Sequence, residues 1–150
     1  MKLSMTYSVK IKRLNHIFMD TVRLYRQAVS FFMDVCLQEW DTVSSGNGQE
    51  ERVNLVESFT VASKKNPSVP YDFGADFYKF PCYLRRAAIA EALGKVSSYR
   101  SNLARWEAAD PASRGEKPGL PQAGTVYPAM YRENMFIRTG TYQAALKVFI

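Results

Sequence analysis

The sequence predicts an α+β fold in which strands bracket a helical block. Three observations carry this. From Met5 to Arg13 the residues Tyr7, Val9 and Ile11 alternate with Ser8, Lys10 and Lys12, the period of a half-buried strand with lysines on its other face. The middle of the chain repeats its apolar residues every three or four positions, the period of a helix. The breaker-rich stretch Gly115-Glu116-Lys117-Pro118-Gly119-Leu120-Pro121 then hands over to strand patterns that reach Ile150. Strand, helices, strands is an order in which the first strand pairs with the last ones and the helices form one insertion.

The helical block has three parts. Asp20 is an N-cap candidate for a helix to about Trp40, with Val22, Tyr25, Val29, Phe32, Cys36 and Trp40 on one face. Ser44 to Gln49 is a loop by composition, and Glu51 to Ala62 reads as a second helix with Val53, Val56 and Val61 mixed with Leu55 and Phe59. Ser63 to Pro70 is a basic linker. Pro81 suits the first turn of a long helix to about Ala109, with Leu84, Ala88, Ala92, Val96, Tyr99, Leu103 and Trp106 as its apolar stripe. Glu91, Lys95, Ser98, Asn102 and Arg105 form a polar stripe on the far side, and Asp110-Pro111 ends the helix. Val126–Tyr131 and Asn134–Arg138 read as short strands. Thr139-Gly140 is a turn, and Thr141–Ile150 is a final strand that runs to the end without a turn of its own.

Composition narrows the function. The 150 residues are 47% hydrophobic and 23% charged, an ordinary globular balance. No apolar run approaches the roughly 20 residues of a membrane span, and the N-terminus lacks a signal-peptide core, so a cytoplasmic protein is expected. Cys36 and Cys82 sit in apolar helical contexts and are read as buried, reduced thiols. With His16 the single histidine, zinc spacings are excluded. No nucleophile elbow, Walker loop or dinucleotide fingerprint is present. Asp72 and Asp76, four apart, share a helix face but read as helix-start acids rather than a metal pair. No catalytic constellation is read in this chain.

The net charge of +6 is unevenly spread: net +5 over residues 1–26, −5 over 27–63 and +6 over 64–150. Two basic segments flanking an acidic one fit a polyanion on one face. Tyr71, Phe73, Phe77, Tyr78 and Phe80 are spaced either to stack on bases or to pack at a helix junction.

Three segments resemble the N-terminal half of TnpB, the OrfB-type protein of insertion sequences, and the related type V CRISPR effectors. They are the basic strand ending Lys10-Ile11-Lys12-Arg13-Leu14 with the helix segment Arg23–Phe32, the long helix Tyr83–Tyr99, and Lys117-Pro118-Gly119-Leu120-Pro121. The last is similar to the family's Lys-x-Gly-Phe-Pro loop, although Gln122-Ala123-Gly124-Thr125 replaces the basic run that follows there. The resemblance implies a small antiparallel OB-like β-barrel, the wedge, built from residues 1–19 and 115–150 and left incomplete. Residues 20–114 would be an inserted recognition lobe, with the Gly115–Pro121 loop as its hinge. It implies RNA and DNA as partners, no membrane, and a role in positioning guide RNA and the guide–target duplex for an RNA-guided DNA endonuclease. In that scheme a divalent metal such as Mg binds only in a nuclease domain beyond Ile150.

Nucleic-acid affinity comes mainly from neutralised phosphates. The candidate contacts are Lys10, Lys12 and Arg13 on the first strand, Arg23 and Arg26 on the first helix, Arg85, Lys95 and Arg105 on the long helix, and Lys117 in the loop. Lys95 and Arg105 share the polar stripe with Ser98 and Asn102, which suits backbone tracking. Arg86 and Arg100 flank the apolar side and read as structural. Two other readings stand beside this one: a small helical protein-interaction module whose basic patches only solubilise it, and a stand-alone nucleic-acid-binding regulator.

Overall fold

A computed structural model describes residues 16–129, 136–141 and 143–146. Helices hold 57% of them. They are α1 (His16–Gln38), α2 (Trp40–Ser44), α3 (Gln49–Thr60), α4 (Phe73–Asp76) and α5 (Cys82–Ala108), followed by β1 (Phe136–Arg138) and β2 (Ala144–Leu146).

The core forms where the apolar stripes of α1 and α5 meet. Tyr25, Ala28, Val29, Phe32 and Cys36 of α1 are buried with Leu84, Ala88, Ile89, Ala92 and Val96 of α5. Alanines at the crossing let the two helix backbones approach closely. Val53 and Val56 of α3 close a third side. Phe73 of α4 stacks on Phe32 with centroids 4.7 Å apart and on Phe77 at 4.5 Å, and Phe80 meets Phe73 edge-on. The Phe73/Phe77/Phe80 rings therefore pack at a helix junction, and Tyr78 alone of that segment is largely exposed.

Local chemistry sets the ends of the elements. α1 is already helical at His16, so Asp20 lies inside it and pairs with Arg23 one turn on, at 3.0 Å, instead of capping. Gly48 supplies a φ of 93° before α3, and Arg52 donates to Gly46 O and Ser44 O, holding that turn. Asp72 caps α4 by accepting from Gly74 N and Ala75 N. Pro81 is the N-cap of α5.

α3 runs antiparallel to α5. Glu57, near the end of α3, meets Arg85 and Arg86 near the start of α5, while Gly48 to Arg52 share a cleft with Leu93 to Ser97. Arg85 donates to Glu57 Oε1 at 3.0 and 3.1 Å, and Arg86 bonds both Glu57 and Asn54. Replacing Glu57 with Ala leaves two half-buried guanidinium groups facing each other. A loss of about 2–3 kcal/mol is expected, below the cost of breaking a fully buried pair. A denaturant midpoint that stays in place would contradict this. Arg100 donates from Nη2 to Leu37 O at 3.1 Å, satisfying a terminal carbonyl of α1.

Cys36 is fully buried, and burial pushes its thiol from 9.0 up to about 12. The folded protein therefore holds this proton more tightly than the unfolded chain does. The contribution is whole below pH 9 and is lost as pH rises toward 12, at about 1.4 kcal/mol per pH unit. Urea unfolding above pH 9 should lose stability faster in the parent than in Cys36→Ala. Cys82, in contrast to the expectation of a buried thiol, is exposed at the start of α5.

Beyond Ala108 the chain reverses. Asp110 accepts through its carboxylate from Ala112 N, and through its carbonyl from Ser113 N and Arg114 N. The chain then runs back along α5, with Gly115 O beside Trp106 and Gly119, Pro121 and Gln122 beside Ser98, Tyr99 and Asn102. Ala123 and Val126 insert into the core, and Val126 O accepts from Arg26 Nε of α1 at 2.9 Å. Residues 119–127 thus form a strap from α5 across to α1.

The OB-like barrel is overturned. The described strands are two segments of three residues, antiparallel, with Phe136 opposite Leu146 and Arg138 opposite Ala144. They flank the expected Thr139-Gly140 turn, where Thr139 N and Gly140 N donate to Gln143 O. Their residues are mostly exposed, so this hairpin encloses no barrel core. Val126, expected to open a strand, is instead, with Ala123, a buried anchor of the strap. The expected strand Met5–Arg13 lies outside the described residues. The Gly115–Pro121 stretch is no hinge into a barrel but the return of the chain along α5. Among the described residues, no helix is long and apolar enough to cross a membrane.

Candidate nucleic-acid interface

The C-terminal half of α5 leaves the core. Leu84 to Val96 of its apolar stripe are buried, but Tyr99, Leu103 and Trp106 are only half-buried. The strap runs alongside this overhang and makes a cleft of about 550 Å³ with it. Glu91, Lys95, Ser98, Tyr99 and Asn102, with Ala90 and Gly94, form the helix wall, and Gly119, Pro121 and Gln122 form the other. The steps from Lys95 to Ser98, Asn102 and Arg105 are three, four and three residues, which keeps these side chains on one face.

Where the strap begins, two cations meet the Trp106 ring. Arg114 lays its guanidinium over the Trp106 indole, with Cζ 3.9 Å from the ring centroid, and Lys117 Nζ stands 6.0 Å from the same ring. Trp106 Nε1 donates to Gly115 O at 2.7 Å, which fixes the indole. Arg105 is the adjacent residue and is exposed. Among the described residues, no carboxylate forms an ion pair with Arg105, Arg114 or Lys117. The C-terminal end of a helix favours cations, which makes this placement inexpensive for the fold. Lys95, at the other end, is 3.9 Å from Glu91, a long and exposed pair of small worth.

Of the nine expected contacts, three lie along this half of α5 and the strap: Lys95, Arg105 and Lys117. Three are engaged elsewhere. Arg23 pairs with Asp20, Arg26 bonds Val126 O and stacks on Tyr127, and Arg85 bonds Glu57. Lys10, Lys12 and Arg13 lie outside the described residues. Arg86 and Arg100 are structural, as expected. The sequence reading missed Arg114, because a helix break separates it from the stripe, and it assigned Trp106 to the core.

The chain matches the Aq_aa04 family over residues 5–150. It belongs to the Aq_aa04 family. A relative, uncharacterized protein aq_aa04 of Aquifex aeolicus (strain VF5), is 28% identical over 125 residues, covering 73% of this chain and 68% of that protein. No solved structure matches the chain. Membership of the Aq_aa04 family overturns the resemblance to TnpB and the type V effectors, which rested on three short segments whereas the family match runs through nearly the whole chain. Wedge, recognition lobe and downstream nuclease lose their basis with it. Among the described residues of this Aq_aa04 protein, no three His, Cys, Asp or Glu side chains gather to hold a metal ion.

Proposed function

We propose that this chain is a nucleic-acid-binding domain that seats a sugar–phosphate backbone along the overhanging half of α5. The observation that carries this is the pair Arg114 and Lys117 at Trp106, free of carboxylate partners among the described residues, near a cleft lined by Lys95, Ser98, Asn102 and Gln122 as well as Glu91, with Arg105 one helical turn on from Asn102. Arg, Lys, Ser, Asn and Gln are the side chains that hold phosphate and sugar oxygens, and they do so without reading sequence. From Lys95 to Trp106 the helix axis extends roughly 16 Å, room for several successive phosphates. RNA and DNA both fit such a surface, and a cytoplasmic location accords with it.

A salt titration tests the reading. Binding to structured RNA or DNA should be measurable at about 50 mM salt and fall log-linearly as salt rises. Absence of binding at that salt sinks the proposal. It would favour a helical protein-interaction module instead, a reading supported by the internal use of Arg26, Arg85, Arg86 and Arg100 and by the exposure of Leu120, Phe136 and Ile137.

A further inference from the structure

We propose that the Trp106 end of this interface selects an unpaired strand, by offering the Arg114 guanidinium as a stacking platform for one nucleobase. The inference rests on the nucleic-acid reading above and names the form of the ligand. At 3.9 Å from the centroid, Arg114 covers one face of the indole in van der Waals contact. The indole is tethered by the bond from Nε1 to Gly115 O. The guanidinium thus rests over a tethered ring. Among the described residues, no hydrogen bond or ion pair engages its side chain.

A planar cation held this way has two functional surfaces. Its edge carries N–H donors in a fork that matches a phosphate. Its outer face, opposite the indole, matches the face of a base, and stacking on arginine planes is a recurrent way to hold unpaired nucleotides. Lys117, at the same ring, is a point contact for a flanking phosphate. In a duplex the base faces are already covered by their neighbours, so the platform gains nothing there. The cleft leading away from it lies between one helix and one extended segment, which suits one strand rather than two.

The experiment uses the Trp40→Phe protein, in which Trp106 is the remaining tryptophan, and two probes with equal numbers of phosphates: an unpaired polyuridine oligonucleotide and a fully paired RNA hairpin. Polyuridine should bind about 10-fold tighter than the hairpin and change Trp106 emission. Arg114→Lys keeps the charge but removes the plane. It should weaken polyuridine binding about 5- to 20-fold, the scale of one lost stacking contact, and leave hairpin binding nearly unchanged. Equal or tighter hairpin binding, or an equal loss for both probes in Arg114→Lys, overturns the single-strand inference and leaves the phosphate-binding reading intact. Failure of both probes to bind at low salt overturns both.

Discussion

Phe32→Ala is expected to cost about 3–5 kcal/mol of folding stability, the range for truncating a buried phenylalanine. Phe32 is 0% exposed, stacks on Phe73 and meets Phe31 edge-on at 5.4 Å. The loss should lie toward the top of that range. The cavity would be walled by rings from α1, α4 and the turn before α5, and these rings already lock one another through the Phe73–Phe77 stack and the Phe80 edge contacts. Rigid walls collapse poorly into a void, and the void term adds to the transfer term. α4 is a single turn with Phe73 as its buried residue, so its hold on the bundle depends on this contact. Urea unfolding followed by circular dichroism reads the effect, and a loss under about 1 kcal/mol would show that Phe32 does not hold α4 on the bundle.

Reversing charge at both Arg114 and Lys117 to Glu should weaken nucleic-acid binding by at least about 100-fold at low salt, since two attractive phosphate contacts become repulsive. Neutralising both to Gln is the more diagnostic change. For a single strand it should lower the slope of log affinity against log salt by about 1.4, two contacts at about 0.7 each. Folding stability should move by no more than about 1 kcal/mol in the Gln variant, because both side chains lie outside any ion pair among the described residues and lose only their contact with the Trp106 ring. Arg85→Gln provides the contrast. Its side chain is engaged with Glu57, so it should lower stability while leaving the salt slope unchanged. A slope that ignores Arg114 and Lys117 but responds to Arg85 would place the phosphate track elsewhere.

The contrast between these arginines marks how far the sequence could be read. Periodicity placed α1, α3 and α5 to within a few residues, because their apolar stripes are long enough to define a face. It also put Lys95, Ser98, Asn102 and Arg105 in one row, since a row on a helix is a matter of spacing alone. Arg26 and Arg85 are engaged within the fold by partners, Val126 O and Glu57, that lie 100 and 28 residues away in the chain. Nothing local distinguishes a basic residue that will find such a partner from one that will face water. The barrel failed for a related reason. Val126 and its neighbours have strand-like composition, but β propensity reflects fit to a half-buried surface, and a buried anchor in an extended strap satisfies that as well as a ladder does. Arg114 was invisible as a site residue because its place over Trp106 depends on the chain reversal at Asp110, a tertiary event.

The strap from Gly119 to Tyr127 ties α5 to α1, and this has a kinetic consequence. Its anchor on α1 closes a loop of about a hundred residues, among the most non-local contacts in the fold, and contacts of that kind form late because the entropy of closure precedes their reward. The far wall of the cleft is therefore expected to form after the α1–α5 core and to open before it. Backbone amides around Ala123 and Val126 should exchange with solvent through a sub-global opening that spares the α1–α5 core. A folded protein would then spend a small fraction of its time with the cleft unroofed on one side, a state in which a strand can be threaded sideways rather than fed from an end.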